Sequence, residues 1–424
     1  MKTLNDFKKP HTVPSYTLYT LKRGNAFLRF LFFSIMMQLL CTITSNAQVT
    51  DSSRMQGVEV KIFHSKILGE HRRIYIQMPA KMKRYEKYPV LYLLDGEAHT
   101  QMAGGQVQYL SEAYKIIPSL IIVGIENTDR TRDLTPTHSI IGPDGKPDTS
   151  SNAFGKSSGG GENFLQFIKQ ELMPYIEGNY PTAPYKILSG HSLGGLMALY
   201  SLVHHPDFFN AYIAISPSLQ WDNEVMLRQV AEKLDPKKIS SIILFFSDAN
   251  EDAAFHENQL KLDSILKKKN IPGLKYKRLF YPEESHASEP VKAFYDAIRL
   301  IYPQWHLPYN NSAFKKTMNS DIIKNHFKEL SKSYGYAVIP SHDDINAIGR
   351  FLRNDPNRVK DAIELFEMNA TNYPASAQVQ ELLGDTYLKV NDNKKAMAAY
   401  EKALLLEPKN EKLQEKLKSI VNKK

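Results

Sequence analysis

The sequence predicts an α/β fold, a mostly parallel sheet with helices on both faces, followed by a small all-α domain built from a helical repeat. Three observations carry this prediction. From about residue 57 to 305, short runs rich in β-branched and aromatic residues alternate with helical patterns. Several of these runs are apolar throughout, as expected of strands covered on both faces. Near the C-terminus, AIELFEMNATNYP (362–374) and AMAAYEKALLLEP (396–408) superpose at a period of 34 residues, the spacing of stacked helix pairs.

The candidate strands, in order, are VEVKIFHS, RIYIQMP (73–79), VLYLLDG (90–96), LIIVGIE (120–126), KILSG (186–190), YIAIS (212–216), IILFFS (242–247) and YKRLFY (276–281). The first two read as an antiparallel hairpin leading into the parallel part. Helical periodicity falls on ENFLQFIKQELMPYIE (162–177) and GLMALYSLVHH (195–205). Residues 127–161 are rich in Thr, Ser, Asp and Gly and read as a long loop, a candidate lid or substrate-binding segment or a plain surface insertion. Residues 306–341 read as a linker or helical connection and 342–421 as the repeat domain. Its second unit sets Leu383, Gly384, Tyr387, Ala396, Tyr400, Ala403 and Pro408 at the spacing of a tetratricopeptide repeat. In the first unit Gly349, Ala362, Phe366 and Pro374 fit, while Arg350 and Asn369 depart from the pattern. Two units need a cover, so they are expected to pack on the larger domain or under a terminal helix over 410–421.

The N-terminus reads as an export signal. Six basic residues precede or flank FLFFSIMMQLL (30–40), a run short for a bilayer span, and Ser45 and Ala47 supply small side chains for cleavage after Ala47. The signal is therefore expected to occupy residues 1–47, placing the mature chain in the periplasm or outside the cell, with an uncleaved anchor as the alternative. Removing those residues lowers the formal charge from +9 to +4, so much of the basicity belongs to the signal. No basic stripe interleaved with aromatics points to nucleic acid. Cys41 is the only cysteine, so the mature chain has no disulfide and no thiolate site. His204-His205 reads as a charged helix C-terminal cap rather than a metal pair, and no motif for a metal or cofactor is present.

The chemistry concentrates in Gly190-His191-Ser192-Leu193-Gly194, a Gly-x-Ser-x-Gly pattern between a strand and a helix. A strand-to-helix turn this tight needs glycines around the serine and lifts its hydroxyl clear of the sheet, with the helix N-terminus beside it. Ser192 is the predicted nucleophile. His286, after the last strand, is the predicted base, since a serine hydroxyl needs something to take its proton. The acid should follow IILFFS, where Asp248, Glu251 and Asp252 all fall. Asp248 stands close to the strand end, with little loop to reach across, and Asp252 at a helix cap. The choice of Glu251 rests also on the resemblance given below, in which Asp248-Ala249-Asn250-Glu251 aligns with a Gly-x-x-Glu turn that carries the acid. The order serine, acid, histidine is that of α/β-hydrolases. The backbone N–H groups of Leu193 and Glu97 are the expected oxyanion donors.

YPVLYLLDGEAH (88–99), DRTRDLTPT (129–137), FLQFIKQELMPYIEGNY (164–180), SGHSLGGLMALYSL (189–202) and the run from Ser285 to Trp305 resemble the putative-esterase branch of the α/β-hydrolases. That branch is similar to the enterobactin and salmochelin esterases and to the S-formylglutathione and feruloyl esterases. The resemblance implies a metal-free serine esterase acting on a small-molecule ester, with a siderophore lactone or an acylated carbohydrate as substrate class. It also implies a substrate-binding role for Arg130, against which a surface ion pair is the plain alternative. Ala287 follows His286 where relatives often have Gly, and Glu289 stands where they often have Val, so substrate preference does not transfer. Acyl transfer or thioester cleavage from the same site is the enzymatic alternative. A protein-binding role of the repeats beside a relic hydrolase domain is the other, and the intact Ser192/His286 pair weighs against it.

Overall fold

The computed structural model describes residues 57–82, 86–142, 145–308 and 311–421. The expected export signal lies outside them. One eight-stranded sheet has the order β1-β2-β4-β3-β5-β6-β7-β8. Its strands are β1 (Val58–Ser65), β2 (Glu70–Gln77), β3 (Tyr88–Leu94), β4 (Ile121–Ile125), β5 (Thr182–His191), β6 (Ala211–Ile215), β7 (Ile242–Ala249) and β8 (Leu274–Tyr281). β1 and β2 form the expected antiparallel hairpin, β2 joins β4 antiparallel, and every other pairing is parallel. The apolar runs VLYLL, IIVGI and AYIAI become β3, β4 and β6, all buried along their length, because helices cover both faces.

The helices of the sheet region are α1 (Gly96–Gln108), α2 (Gly161–Phe167), α3 (Met173–Asn179), α4 (Leu193–His204), α5 (Trp221–Lys233), α6 (Ala253–Lys269) and α7 (Glu289–Ile301). The helix expected over 162–177 is continuous from Gly161 to Asn179, with a π-helical turn, Ile168–Leu172, between α2 and α3. Pro174 fits that widened turn: it lacks the N–H that would bond the Gln170 carbonyl. The loop 127–161 is irregular apart from one helical turn, Arg130–Asp133, and an isolated bridge between Ile141 and Pro147.

Two apolar cores lie on the two faces of the sheet. One holds Tyr92, Phe164, Leu196, Met197 and Phe246; the other holds Leu93, Ile187, Ile213, Phe245, Phe294 and Ile298. Beyond α7 the chain is all helical: α8 (Ser312–Thr317), α9 (Ser320–Tyr334), α10 (His342–Arg353), α11 (Val359–Asn372), α12 (Ala377–Lys389), α13 (Asn393–Leu406) and α14 (Glu411–Val421). Gly349 and Gly384 recur in equivalent places. A Cβ on Gly349 would stand 2.6 Å from the Phe366 ring, and one on Gly384 would stand 2.7 Å from the Tyr400 ring. The period in the sequence is therefore a period of close helix contacts. Asn369, which broke the pattern, is buried and donates to the His342 carbonyl (3.1 Å) and Asn346 Oδ1 (2.9 Å).

The segment expected as a connection is a packed bridge. Ile323 of α9 belongs to the helical core, while Leu330 and Tyr334 of the same helix, with Val338, belong to the second sheet core. Tyr334 also donates to the Ile301 carbonyl at 3.0 Å. The described residues accordingly fall in one compact unit. Among the described residues no helix is long and apolar enough to cross a membrane.

Candidate active site

Ser192 is the single residue between β5 and α4, and its backbone is strained, φ 61° and ψ −117°. Only a turn fixed on every side holds a serine there. The Ser192 N–H donates to the Ile215 carbonyl at 2.9 Å, and its carbonyl accepts from Leu196 (3.0 Å) and Ser218 (3.2 Å). Glycines surround it because nothing else fits. A Cβ on Gly190 would meet the Gly194 carbonyl carbon at 2.3 Å, and one on Gly195 would meet the Ile215 carbonyl oxygen at 2.9 Å. Leu193 opens α4, so its N–H is among those with no partner within the helix.

The three candidate acids separate cleanly. β7 runs two residues further than the sequence predicts, to Ala249, so Asp248 lies inside the strand. It is buried there, with its oxygens 2.5 Å from His256 Nδ1 and 2.8 Å from Arg278. Burial pushes its pKa up against the pull of these two partners. Asp252 caps α6, accepting from Phe255 N–H at 2.8 Å. Glu251 alone reaches the histidine, with Oε2 3.0 Å from His286 Nδ1. The carboxylate lies off the ring's N–H axis, so the contact is close but not an ideal hydrogen bond. The two loops are tied together, since Asn250 N–H donates to the Glu284 carbonyl at 2.9 Å.

His286 packs on His191, ring centroids 4.4 Å apart, and edge-on to Phe255 at 5.9 Å. Burial, with repulsion from His286, lowers the pKa of His191 to about 3, so it stays neutral beside the base. Ser192 Oγ is bonded to Ser218 Oγ at 3.2 Å, and among the described residues no hydrogen bond joins it to His286. A turn of the serine side chain from Ser218 is needed before proton transfer, and unliganded catalytic contacts are often this loose.

Asp95 ends the β3 strand run with φ 54° and leads into α1. Its carboxylate binds Arg130 through both oxygens, Nε at 2.7 Å and Nη2 at 3.0 Å, and accepts from Asn127 at 2.5 Å. A Cβ on Gly194 would stand 3.2 Å from the same carboxylate, so the turn bearing Glu97 abuts the start of α4. Burial raises the Glu97 pKa. Arg130 also reaches the His191 carbonyl at 3.3 Å, which puts it beside the nucleophile but committed to an ion pair. The short helix carrying Arg130 is anchored by a buried charge cluster. Arg72, fully buried over Phe164, binds Asp133 at 2.6 Å, Thr128 at 3.0 Å and the Glu126 carbonyl at 2.8 Å, and also contacts Glu70. Burial favours protonated Glu70, but Arg132, Thr128 and Arg72 outweigh it and lower its pKa to about 2.

The sequence did not point to Ser216 or Ser218, and it marked Glu289 only as an acid where relatives often have Val, with no role in the site. Serines at strand ends carry no periodic signal, and a departure from relatives at Glu289 does not say what the acid contacts. The charged cap at His204-His205 needs correction. His204 is half-buried against Gln229 Oε1 (2.8 Å), and burial lowers its pKa, so the neutral form is favoured. His205 faces Glu162 at 3.0 Å.

Residues 65–278 match the family described as Putative esterase. The ferri-bacillibactin esterase BesA of Bacillus subtilis (strain 168) is 32% identical over 199 residues, which cover 44% of this chain and 68% of that protein. The chain belongs to the Putative esterase family. It is a carboxylic ester hydrolase. The apo-salmochelin esterase of Escherichia coli O6:H1 is 31% identical over 168 residues, 38% of this chain and 51% of that protein. Among solved structures, an IroE-like serine hydrolase from Shewanella oneidensis superposes with a TM-score of 0.63 at 28% identity, covering 75% of this chain and all of that one.

Proposed function

We propose that this esterase cleaves the ester bonds of a siderophore through an acyl-enzyme on Ser192. The observation that carries the reading is the strained Ser192 elbow, with Glu251 3.0 Å from His286 on loops at the same edge of the sheet. Ser192 Oγ attacks the ester carbonyl carbon while His286 takes its proton. The N–H groups of Leu193 and Glu97 hold the charge that develops on the carbonyl oxygen. The C–O bond then breaks and His286 returns the proton to the leaving alcohol. Water attacks the acyl-enzyme by the same steps, releasing the acid and restoring Ser192. Glu251 holds the His286 tautomer and stabilises its charged form.

The siderophore assignment rests on relatives whose names specify ferri-bacillibactin and apo-salmochelin. Arg130 stands beside the nucleophile, and an acidic or catecholate substrate would have to compete with Asp95 for its guanidinium. A second part of the reading concerns place and partners. Residues 1–47 act as a signal cleaved after Ala47, so hydrolysis occurs in the periplasm or outside the cell. The helix pairs from α10 to α13 are tetratricopeptide-like units, capped by α14, that offer a protein-binding surface separate from the esterase chemistry. The test is hydrolysis by purified residues 48–424 of iron-loaded and iron-free trilactone siderophores, feruloylated sugars and aryl esters, with Ser192→Ala in parallel. Siderophore turnover well above that of the other esters supports the substrate class; preference for sugars or simple aryl esters refutes it.

A further inference from the structure

Behind Glu251 lies a third acid. Glu289 opens α7, is fully buried, and its Oε2 is in short contact with Ser216 Oγ. The same hydroxyl lies 2.7 Å from Glu251 Oε1. Ser216 is itself fixed: it leaves β6 with φ 39°, and its N–H donates to the Ser247 carbonyl at 3.0 Å. Its hydroxyl is therefore held between two carboxyl groups. A hydroxyl donates one proton, and an ionised carboxylate only accepts. With both acids charged, one of these contacts would set lone pair against lone pair in a buried site. The hydrogen-bond count is short by one proton, and one of the acids has to carry it. Glu251 faces His286, which becomes cationic during turnover. Among the described residues no cation pairs with Glu289.

We propose that Glu289 is a positioning residue that is protonated on the acid side of neutrality, where it donates to Ser216, and ionises across the neutral range. Ser216 then donates to Glu251 Oε1, leaving Oε2 for His286. This inference rests on Glu251 being the acid of the triad. Burial pushes the Glu289 carboxyl up to about 7; the Glu251 and Asp248 carboxylates push the same way, and the Ser216 and Ser247 hydroxyls push back. The N-terminus of α7 also favours the anion and is outweighed. Of the titratable groups around it, Glu251 and Asp248 come from β7 and its turn, and Tyr281 from β8. His286 lies beyond Glu251, while Arg278 and His256 offset Asp248. Once Glu289 ionises, Ser216 has a single proton for two anions, Glu251 loses its fixed donor, and turnover falls on the alkaline side.

The test is kcat and KM for an aryl ester from about pH 5.5 to 9, for wild type, Glu289→Gln, Glu289→Leu and, as control, Glu251→Gln. Glutamine donates an N–H where the acid donates O–H, and it never ionises. Glu289→Gln should keep neutral turnover within about threefold and lose the alkaline fall, whereas Glu289→Leu should lose on the order of tenfold in kcat at unchanged KM. The infrared C=O stretch of a buried protonated carboxyl should be present in wild type near pH 6 and absent from Glu289→Gln. The proposal is overturned if Glu289→Gln is as impaired as Glu289→Leu, if it keeps the wild-type alkaline profile, or if the infrared band is unchanged. Full turnover by Glu251→Gln overturns the triad reading and the positioning role with it. The infrared band reads the Glu289 proton independently of that result.

Discussion

Replacing Glu289 by glutamine should change stability in a way that depends on pH, and the size of the change follows from the structure. The folded chain holds the Glu289 proton more tightly than the unfolded chain does, with a pKa raised from 4.5 to about 7. Stability from this group is fully present below the unfolded value and is lost as pH rises through the folded one. Each pKa unit corresponds to about 1.4 kcal/mol, so the whole loss is about 3 kcal/mol. Most of it, roughly 2–3 kcal/mol, falls between about pH 5 and pH 8. Glutamine has no proton to lose. The stability of Glu289→Gln relative to wild type should therefore rise by that amount across the interval. Urea unfolding followed by the fluorescence of Trp221 and Trp305, at half-unit pH steps, measures it. A difference that stays flat, or that shrinks with pH, would refute the claim that burial keeps this acid protonated.

Other expectations follow from the same geometry. Glu251→Gln should lower kcat by up to about 10⁴-fold and spare KM, whereas Asp252→Asn, which alters only a helix cap, should leave turnover near wild type in the same assay. Asp133→Asn removes a partner of the fully buried Arg72 and should cost on the order of 3 kcal/mol in chemical denaturation. Because that cluster anchors the segment carrying Arg130, substrate KM should rise as well, and an unchanged KM would separate the two. Tyr334→Ala opens a hole where α9 meets the second sheet core and should cost about 3–5 kcal/mol. If it destabilises only the C-terminal helices, with the sheet unfolding as before, the bridge is not shared between the two cores.

Much of this architecture was legible in the sequence because its signals are local. Continuous apolar runs gave buried parallel strands, Gly-x-Ser-x-Gly gave the elbow, and a period of 34 residues gave the helix pairs. Loop reach, the helix-cap position of Asp252 and the resemblance to a Gly-x-x-Glu turn narrowed the acid to Glu251, and the structure brings that residue, rather than Asp248 or Asp252, to His286. Where β7 ends was misjudged because Asp248 looks like a turn residue; Arg278 and His256 offset its charge and let the strand continue through it. α9 read as a connection because its apolar stripe, Ile323, Phe327, Leu330 and Tyr334, is an ordinary helical one, and nothing in the sequence says that its two ends enter different cores. Nothing in the sequence could pair Ser216 with Glu251 and Glu289, since that contact joins the ends of two strands and the start of a helix 73 residues away. Interactions of this kind come from tertiary packing alone.

If Ser192 forms the acyl-enzyme, active-site labelling should find it. After reaction with a fluorophosphonate probe, peptide mapping by mass spectrometry should place the adduct on Ser192. Ser192→Ala should show neither adduct nor ester hydrolysis while unfolding at about the wild-type urea concentration, as expected for a change confined to the site. Undiminished hydrolysis by Ser192→Ala, or an adduct on another serine, would contradict the account.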